Sequence, residues 1–196
     1  MKLALDKQHE NRVEFVVEGI DTTFANAMRR YCISRVPVMA IESVTFYDNS
    51  SPVWDEYIAH RIGLMPVMTP KNTPAGTEVV FTLDAEGPKT VYSGELKSSD
   101  KEISMALDKI IVVTLGQNQR LRLEGKAVLN TTNKHAKFQA GLLAYSQKDE
   151  KFKFVLESFH QMKPKDVLDR ACGVIESHLD ELEEALGEKK SKKKKE

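Results

Sequence analysis

The sequence DTTFANAMRRYCISRVPVMAIE, residues 21–42, decides the fold of this chain because it contains a well-bounded helix with two different faces. Asp21 and the two threonines that follow it offer side-chain oxygens that can cap the free N–H groups of a first turn. Pro37 ends the helix and favours an extended conformation at the residue before it. We therefore predict a helix from about Thr23 to Arg35, followed by an extended segment.

The apolar and polar residues of this helix occupy opposite sides. At 100° per residue, one half of the circumference carries Phe24, Ala25, Ala27, Met28, Tyr31 and Cys32. The other half carries Asn26, Arg29, Arg30 and Ser34, with Ile33 near its middle. An apolar residue among fixed charges is common at protein contacts, but an ordinary surface helix with one exposed Ile fits the pattern equally well. The apolar side predicts a core contact, and the role of the polar side stays open.

Length and composition indicate a globular protein without a membrane segment. A chain of 196 residues with 41% hydrophobic content can bury a real core, in one domain or two small ones. The apolar start, residues 1–5, meets Asp6 at once, which excludes a signal-peptide core, and no apolar run approaches the ~20 residues of a membrane span. We expect a cytoplasmic protein. Cys32 and Cys172 lie far apart in two predicted helices and indicate small buried thiols.

The charges are balanced over the whole chain but not along it. There are 29 basic and 29 acidic residues. The last nine residues, EKKSKKKKE, hold six Lys and two Glu, so the rest of the chain has a net charge of −4. A mildly acidic body argues against a broad phosphate-binding surface. We expect the tail, residues 188–196, to be a disordered solvated end, and a nucleic-acid contact is the less favoured alternative.

The remaining pattern predicts an α+β fold with a β-rich middle. A short helix over Asp55–Leu64 is expected to stop near Gly63, and three prolines break the chain after it. Short alternating or apolar runs separated by turn residues predict strands at Lys2–Leu5, Arg12–Glu18, Val38–Asp48, Glu78–Leu83, Thr90–Leu96, Lys109–Leu115, Arg120–Asn130, Lys137–Ser146 and Lys151–Phe159.

The last large element is a helix that begins at Pro164 and runs to about Leu186, before Gly187. Its apolar residues are spaced 4, 3, 4, 3 and 4 apart, as in a heptad seam: Leu168, Cys172, Ile175, Leu179, Leu182 and Leu186. An intramolecular amphipathic helix would account for part of this seam. Six successive positions exceed what a mixed domain of this size usually covers, which favours an intermolecular contact.

The candidate catalytic groups do not form a recognisable motif. The five histidines are scattered, at positions 9, 60, 135, 160 and 178, with no HxxxH or HxH pair. There is also no GxSxG elbow, Gly-rich phosphate loop, zinc-finger spacing or RNP motif. Because catalytic triads can be dispersed along a chain, this weakens an enzyme hypothesis without excluding it. We expect no independent catalysis, and no metal or other cofactor.

Four blocks of the sequence resemble signatures of the α-like subunits of multisubunit RNA polymerases, in the D-type branch found in archaea. FANAMRRYCISRVPVMAIE, at 24–42, resembles their helix with N-A-hydrophobic-R-R followed by Pro and a strand. DEYIAHRIGLMP, at 55–66, and HAKFQAGLLAY, at 135–145, resemble the second and third signatures. FKFVLESFHQMKPKDVLDRACGVIESHLDEL, at 152–182, is similar to the closing strand and dimerisation helix. The blocks occur in family order and span most of the chain.

This resemblance implies a discontinuous dimerisation domain, residues 1–44 and 148–187, with an inserted β-rich domain at 45–147. It also implies a non-catalytic assembly platform for transcription. The expected partners are the small α-like subunit L, as a heterodimer, then subunits N and P and the two large catalytic subunits. DNA would be reached only through the complex, and the Mg²⁺ site would lie in other chains.

The resemblance also implies roles for individual residues. The expected heterodimer interface comprises Phe24, Met28, Tyr31, Leu168, Cys172, Ile175, Leu179, Leu182 and Leu186. The expected contact with the large subunits, or its support, comprises Asn26, Arg29, Arg30, His60 and Arg61. An alternative for His60 and Arg61 is that they cap or brace the local fold.

The chain departs from this family at one point. Many archaeal members carry a Cys-rich domain that binds an iron–sulfur cluster, inserted near a turn that is here only Gln147–Glu150. Two isolated cysteines, Cys32 and Cys172, cannot supply the usual Cys₄ ligation. We therefore expect no iron–sulfur cluster.

Two further functions stay open on the sequence alone. The first is a homodimeric nucleic-acid-binding protein that uses the Lys-rich tail and would show salt-sensitive binding. The second is a hydrolase with dispersed His and carboxylate groups, for which the sequence offers no pair of residues to nominate.

Overall fold

The computed structural model describes residues 1–187 and shows antiparallel sheets with helices, which confirms the predicted α+β class. The predicted tail, 188–196, lies outside the described residues. The strands are β1 (Lys2–Gln8), β2 (Arg12–Glu18), β3 (Val38–Asn49), β4 (Glu78–Glu86), β5 (Lys89–Tyr92), β6 (Lys97–Ser98), β7 (Ile111–Leu115), β8 (Arg120–Asn130), β9 (Gly141–Lys148) and β10 (Lys151–Ser158). The helices are α1 (Thr22–Ser34), α2 (Asp55–Gly63) and α3 (Pro164–Ala185).

The first sheet joins the two ends of the chain. Its strands are antiparallel, in the order β1-β2-β10-β9. The alternation in β10 puts Phe152, Phe154 and Leu156 into the core, as their period of two predicts. Phe154 lies opposite Phe15 of β2 and stacks on it, with 5.1 Å between ring centroids. Helices α1 and α3 pack on this apolar face and against each other.

The second sheet forms the centre of the middle segment. Its order is β3-β8-β4-β6, again antiparallel, and β5 and β7 form a separate two-stranded ribbon. The long strand β8 lies between β3 and β4 and buries Leu121 and Leu123 beside Phe81. Helix α2 packs on β3 with Ile58 and Ile62 buried. This is the β-rich unit that the turn-separated runs predict.

Strand β3 contributes to two separate hydrophobic cores. Val38 and Ala40 lie in the core with the helices α1 and α3. Met39 and Ile41 lie in the core of the second sheet. The domain limits 1–44, 148–187 and 45–147 stay a prediction. However, residues 141–147, which that prediction assigns to the insert, pair with β10 in the first sheet.

Two predicted strands are wrong at one end, and a local side-chain hydrogen bond explains each. The run Thr90–Leu96 leaves the sheet after Tyr92, because Glu95 Oε1 accepts from the Tyr92 N–H (3.1 Å) and closes a 3₁₀ turn. The run Lys137–Ser146 starts as a 3₁₀ turn, where His135 Nδ1 accepts from the backbone N–H of Lys137 (3.1 Å). Such bonds offer the backbone an alternative to the sheet.

Helix α2 is fastened to the ribbon by Arg61. Its Nη2 donates to the backbone carbonyl of Ile111 at the start of β7, at 2.6 Å. Its guanidinium also lies over the ring of Tyr57, one helical turn earlier, with 5.7 Å to the ring centroid. The neighbouring His60 is exposed. Arg61 is therefore bonded within the chain, and both its contact with the large subunits and the alternative of a local brace stay predictions.

Replacing Arg61 should therefore destabilise the chain on its own. We expect Arg61→Ala to lower the free energy of unfolding by about 1–2 kcal/mol, because a charge-assisted hydrogen bond is lost. His60→Ala, in the same helix, should stay within about 0.5 kcal/mol of the wild type. Urea unfolding of both variants measures the difference, and equal stabilities would show that the Ile111 bond contributes nothing.

Candidate functional site: two surfaces of the helical face

Helix α1 is held as its sequence predicts. Asp21 is the N-cap, and its Oδ1 accepts from the Phe24 N–H at 2.8 Å. The helix buries Ala25, Met28 and Cys32 against the first sheet. Met28 is thus a core residue, whereas Phe24 is exposed and Tyr31 is half-buried. Of the three α1 residues predicted at the heterodimer interface, Phe24 and Tyr31 are accessible to a second chain.

The first half of α3 is anchored in the body of the protein. Pro164, Val167 and Ala171 are buried, and Leu168 is partly buried on the same core. The Arg170 guanidinium donates to the backbone carbonyl of Pro37 at 2.9 Å and to that of Pro70. Burial lowers the pKa of Arg170 below its usual value. These bonds fix the direction in which the rest of the helix leaves the protein.

The second half of α3 exposes the predicted seam. Leu179 and Leu182 are each 54% exposed, and Leu186 is 69% exposed. Ile175 is half-buried, and Cys172 is exposed. The fully buried residues of α3, Pro164, Val167 and Ala171, lie beside the seam, and Leu168 is the seam residue that packs on the core. The structure therefore places four consecutive seam residues, from Ile175 to Leu186, where the chain itself does not cover them fully.

One side-chain pair joins the two helices at the base of this exposed half. Tyr31 Oη lies 3.0 Å from His178 Nδ1, and the two rings meet edge to face at 5.6 Å. His178 therefore has its contact partner within the chain. The pair orients the exposed part of α3 relative to α1.

Leu3 and Leu5 form an apolar surface that no sequence pattern assigned to an interface. They pair with Val17 and Phe15 of β2, so they point to the same side of the sheet as these buried residues. Leu3 is nevertheless 58% and Leu5 59% exposed, on the edge strand. The alternation in β1 indicates which side they face, but it carries no information on whether a helix covers them.

The polar side of α1 is partly organised within the chain. Arg29 Nε and Nη2 both donate to Asn26 Oδ1, at 3.1 and 2.9 Å. Arg30 is exposed and, with Asn133, lines an open cavity of about 380 Å³. Ile33 is half-buried. The predicted residues Asn26, Arg29 and Arg30 thus form one surface, which we call the arginine face.

His60 lies at a different place, where three of the four quoted sequence blocks meet. A cavity of about 230 Å³ is lined by His60, Glu42 and His135, together with Lys137. Lys137 Nζ donates to the Ile41 carbonyl at 2.9 Å, and burial lowers the pKa of Lys137. The Arg61 guanidinium, by contrast, donates to the backbone carbonyl of Ile111 in the two-stranded ribbon. The five predicted large-subunit contacts therefore divide among three places.

The part of the chain that the structure describes, residues 1–187, contains no cluster of three His, Cys, Asp or Glu side chains able to hold a metal ion. Cys32 is buried, and this burial raises the pKa of its thiol to about 12. Cys172 is exposed on α3, so the prediction of a buried thiol is wrong for this residue, although partial burial of its thiol raises its pKa as well. Neither cysteine has the lowered pKa that accompanies thiolate reactivity. None of the described helices is long and apolar enough to cross a membrane.

Comparison with known proteins agrees with this geometry. Residues 14–179 match the family model described as the RNA polymerase Rpb3/Rpb11 dimerisation domain. A DNA-directed RNA polymerase subunit Rpo3 from Methanocaldococcus jannaschii is 41% identical over 168 residues, covering 82% of this chain and 85% of the relative.

Two further Rpo3 subunits are longer than the matched region. The Halobacterium salinarum relative is 42% identical over 133 residues, covering 68% of this chain and 54% of the relative. The Thermococcus kodakarensis relative is 40% identical over 148 residues, covering 72% and 57%. The chain thus spans only somewhat more than half the length of several relatives. The matches confirm the resemblance of the four blocks, and the chain belongs to the archaeal Rpo3 family of D-type α-like subunits, which carries the Rpb3/Rpb11 dimerisation domain.

Proposed function

We propose that this chain is a non-catalytic assembly subunit of an archaeal DNA-directed RNA polymerase and acts in the cytoplasm as one half of a heterodimer with the small α-like subunit L. The observation that supports this most directly is the exposed seam of α3, in a chain whose family model is a dimerisation domain. Leucines that recur at heptad spacing on one helix bury their side chains only when a second helix is present.

The apolar surface extends beyond the seam. Phe24 at the start of α1 and Leu3 and Leu5 on β1 are also exposed. Large exposed apolar areas on a folded chain usually mark a protein contact. Gly173 in α3 has no atom of the chain within 4 Å of where a Cβ would lie, so it does not serve a close helix crossing inside the chain. We assign these residues to an interface of the obligate class, ~2,000 Å² or more.

We assign the contact with the two large catalytic subunits to the arginine face and to the cavity around His60. Arg30 and His60 are exposed, so they are free to contact another chain. Asn26 holds the Arg29 guanidinium in place. Arg61 supports this region by fixing α2, as described above. Subunits N and P would dock on the same platform, and DNA would be contacted only through the complex.

The proposed subunit carries out no phosphoryl chemistry of its own. The relatives are named as polymerase subunits, and the described residues of this chain offer no metal-binding cluster. The Mg²⁺ ions that phosphoryl transfer requires would be held in the large subunits. The function of the chain would then be to bring those subunits together.

Leu179→Glu should abolish the heterodimer, because it places an unpaired charge in the seam. The test is co-expression of this chain with subunit L of the same organism, followed by size-exclusion chromatography. We expect the wild type to co-elute one-to-one with subunit L and the variant to elute alone.

Leu142→Glu is the matched control. Leu142 is 47% exposed on β9, and its neighbour Leu143 is buried, so Leu142 faces away from the helices. This variant should keep the heterodimer. A full heterodimer with Leu179→Glu would contradict the assignment of the seam. A wild-type homodimer that binds DNA in a salt-sensitive way would favour the alternative function.

We also propose that this chain binds no iron–sulfur cluster, since its two cysteines cannot provide four thiolate ligands. Protein purified anaerobically should show no visible absorbance band beyond the protein background, and chemical analysis should find no bound iron. An iron–sulfur absorbance band from this protein would contradict the proposal, whether or not the band persists in Cys172→Ser.

A further inference from the structure

The seam of α3 is bordered by two unlike flanks. Asp169, Glu176 and Glu183 each follow a seam residue directly and recur every seven positions, so they form one stripe along the helix. We call this stripe the acidic flank. The opposite flank carries Ala171, His178 and Ala185. A helix that pairs with the seam would have to lie alongside at least one of these flanks.

The opposite flank is turned toward the chain itself. Ala171 is 1% exposed. His178 is engaged by Tyr31 of α1. A partner helix on the seam therefore lies against the acidic flank at these two positions, and Ala185, the last residue of the opposite flank, is exposed and uncharged.

Two carboxylates of the acidic flank are available to a partner. Asp169 forms an ion pair with Lys71 at the anchored end of the helix. Glu176 and Glu183 are exposed and form no ion pair within residues 1–187. They lie two turns apart, beside the half-buried Ile175 and the exposed Leu182. The edge of any partner helix on the seam therefore lies close to these two negative charges.

A second copy of this chain fits this surface poorly. An antiparallel twofold pair of α3 helices would place each acidic flank against the same flank of the other copy. Like charges facing each other across a helix pair disfavour that pairing. A parallel pair would instead place the acidic flank against Ala171 and His178 of the other copy, which its own chain covers.

From this geometry we infer that the acidic flank selects a partner helix that carries Lys or Arg beside its own apolar seam. The inference rests on the proposed heterodimer and adds the rule by which the partner is recognised. Opposite charges at the edge of a helix pair set the choice and orientation of the partner, while the buried leucines provide most of the affinity. Glu176 and Glu183 are thus specificity-determining residues of the dimer surface.

The test compares two charge-reversed double variants of the full chain. Glu176→Lys/Glu183→Lys reverses the acidic flank. Glu181→Lys/Glu184→Lys changes the net charge equally, in the same exposed half of α3, but at positions that point away from the seam. Both pairs of residues are exposed, so both variants should fold. Circular dichroism verifies this before binding is measured.

Binding of subunit L of the same organism is then measured by titration at about 0.05 M and about 0.5 M NaCl. At low salt we expect the first variant to bind roughly tenfold more weakly than the wild type, because two exposed ion pairs become two repulsions. At high salt this difference should shrink to about threefold or less, since exposed charges are screened. The second variant should bind within about twofold of the wild type at both salt concentrations.

The outcomes separate the two proposals. Equal binding by the two variants at low salt would overturn the role of the acidic flank and leave the heterodimer intact. A tenfold loss that is the same at both salt concentrations would also overturn it, since the loss would not be electrostatic. A wild-type chain that does not bind subunit L at all would instead contradict the proposed function itself.

Discussion

The structure depends on the first four residues of strand β3, which are buried on both sides of the strand. Val38 and Ala40 of β3 point into the core beneath the helices, and Met39 and Ile41 point into the core of the second sheet. All four are at most 2% exposed. Because successive side chains of a strand point to opposite faces, four apolar residues in a row are needed to fill both cores. Pro37 ends α1 directly before this strand, which ties the direction of the helix to the strand.

The surface formed by α1 and α3 differs from this strand, since it carries apolar residues that the chain leaves exposed. The first half of α3 is fixed by Val167, Ala171 and the Arg170 bonds to backbone carbonyls. Beyond Ile175 the same heptad pattern continues into solvent. Burial of a Leu side chain is worth about 1.5–3 kcal/mol, so leaving Leu179, Leu182 and Leu186 exposed gives up stability that a partner can restore. A rigid anchored half and an exposed half together make α3 suitable for dimerisation.

The sequence predicted those features that depend on residues close together in the chain. The cap at Asp21, the stop at Pro37 and the start of α3 at Pro164 follow from local backbone chemistry, and the structure confirms them. The heptad spacing likewise predicted a continuous apolar stripe on α3, whose contact with a partner stays a prediction. In contrast, the part played by Arg61 depends on the carbonyl of Ile111, 50 positions away in the chain. No local pattern contains such a contact.

Other features were beyond sequence reasoning because they depend on which surfaces are covered. Met28 and Phe24 lie on the same predicted face of α1, yet the first is buried and the second exposed. The alternation of β1 identified the side of Leu3 and Leu5, but whether a helix lies over an edge strand is a property of the whole fold. The residues predicted to contact the large subunits lie at three separate places, since membership of a sequence motif does not specify spatial proximity.

The segment between β8 and β9, residues 131–140, is hydrogen-bonded to both α1 and β3. These bonds affect how such sequences can diverge. Thr132 Oγ1 donates to the backbone carbonyl of Ile33 at 3.0 Å, and Lys137 Nζ donates to that of Ile41 at 2.9 Å. Both acceptors belong to the main chain, so a substitution at position 33 or 41 that the packing tolerates leaves them in place. Selection for these bonds therefore acts on Thr132 and Lys137 alone. The two joined elements can change their side chains without a matching change in the segment that joins them.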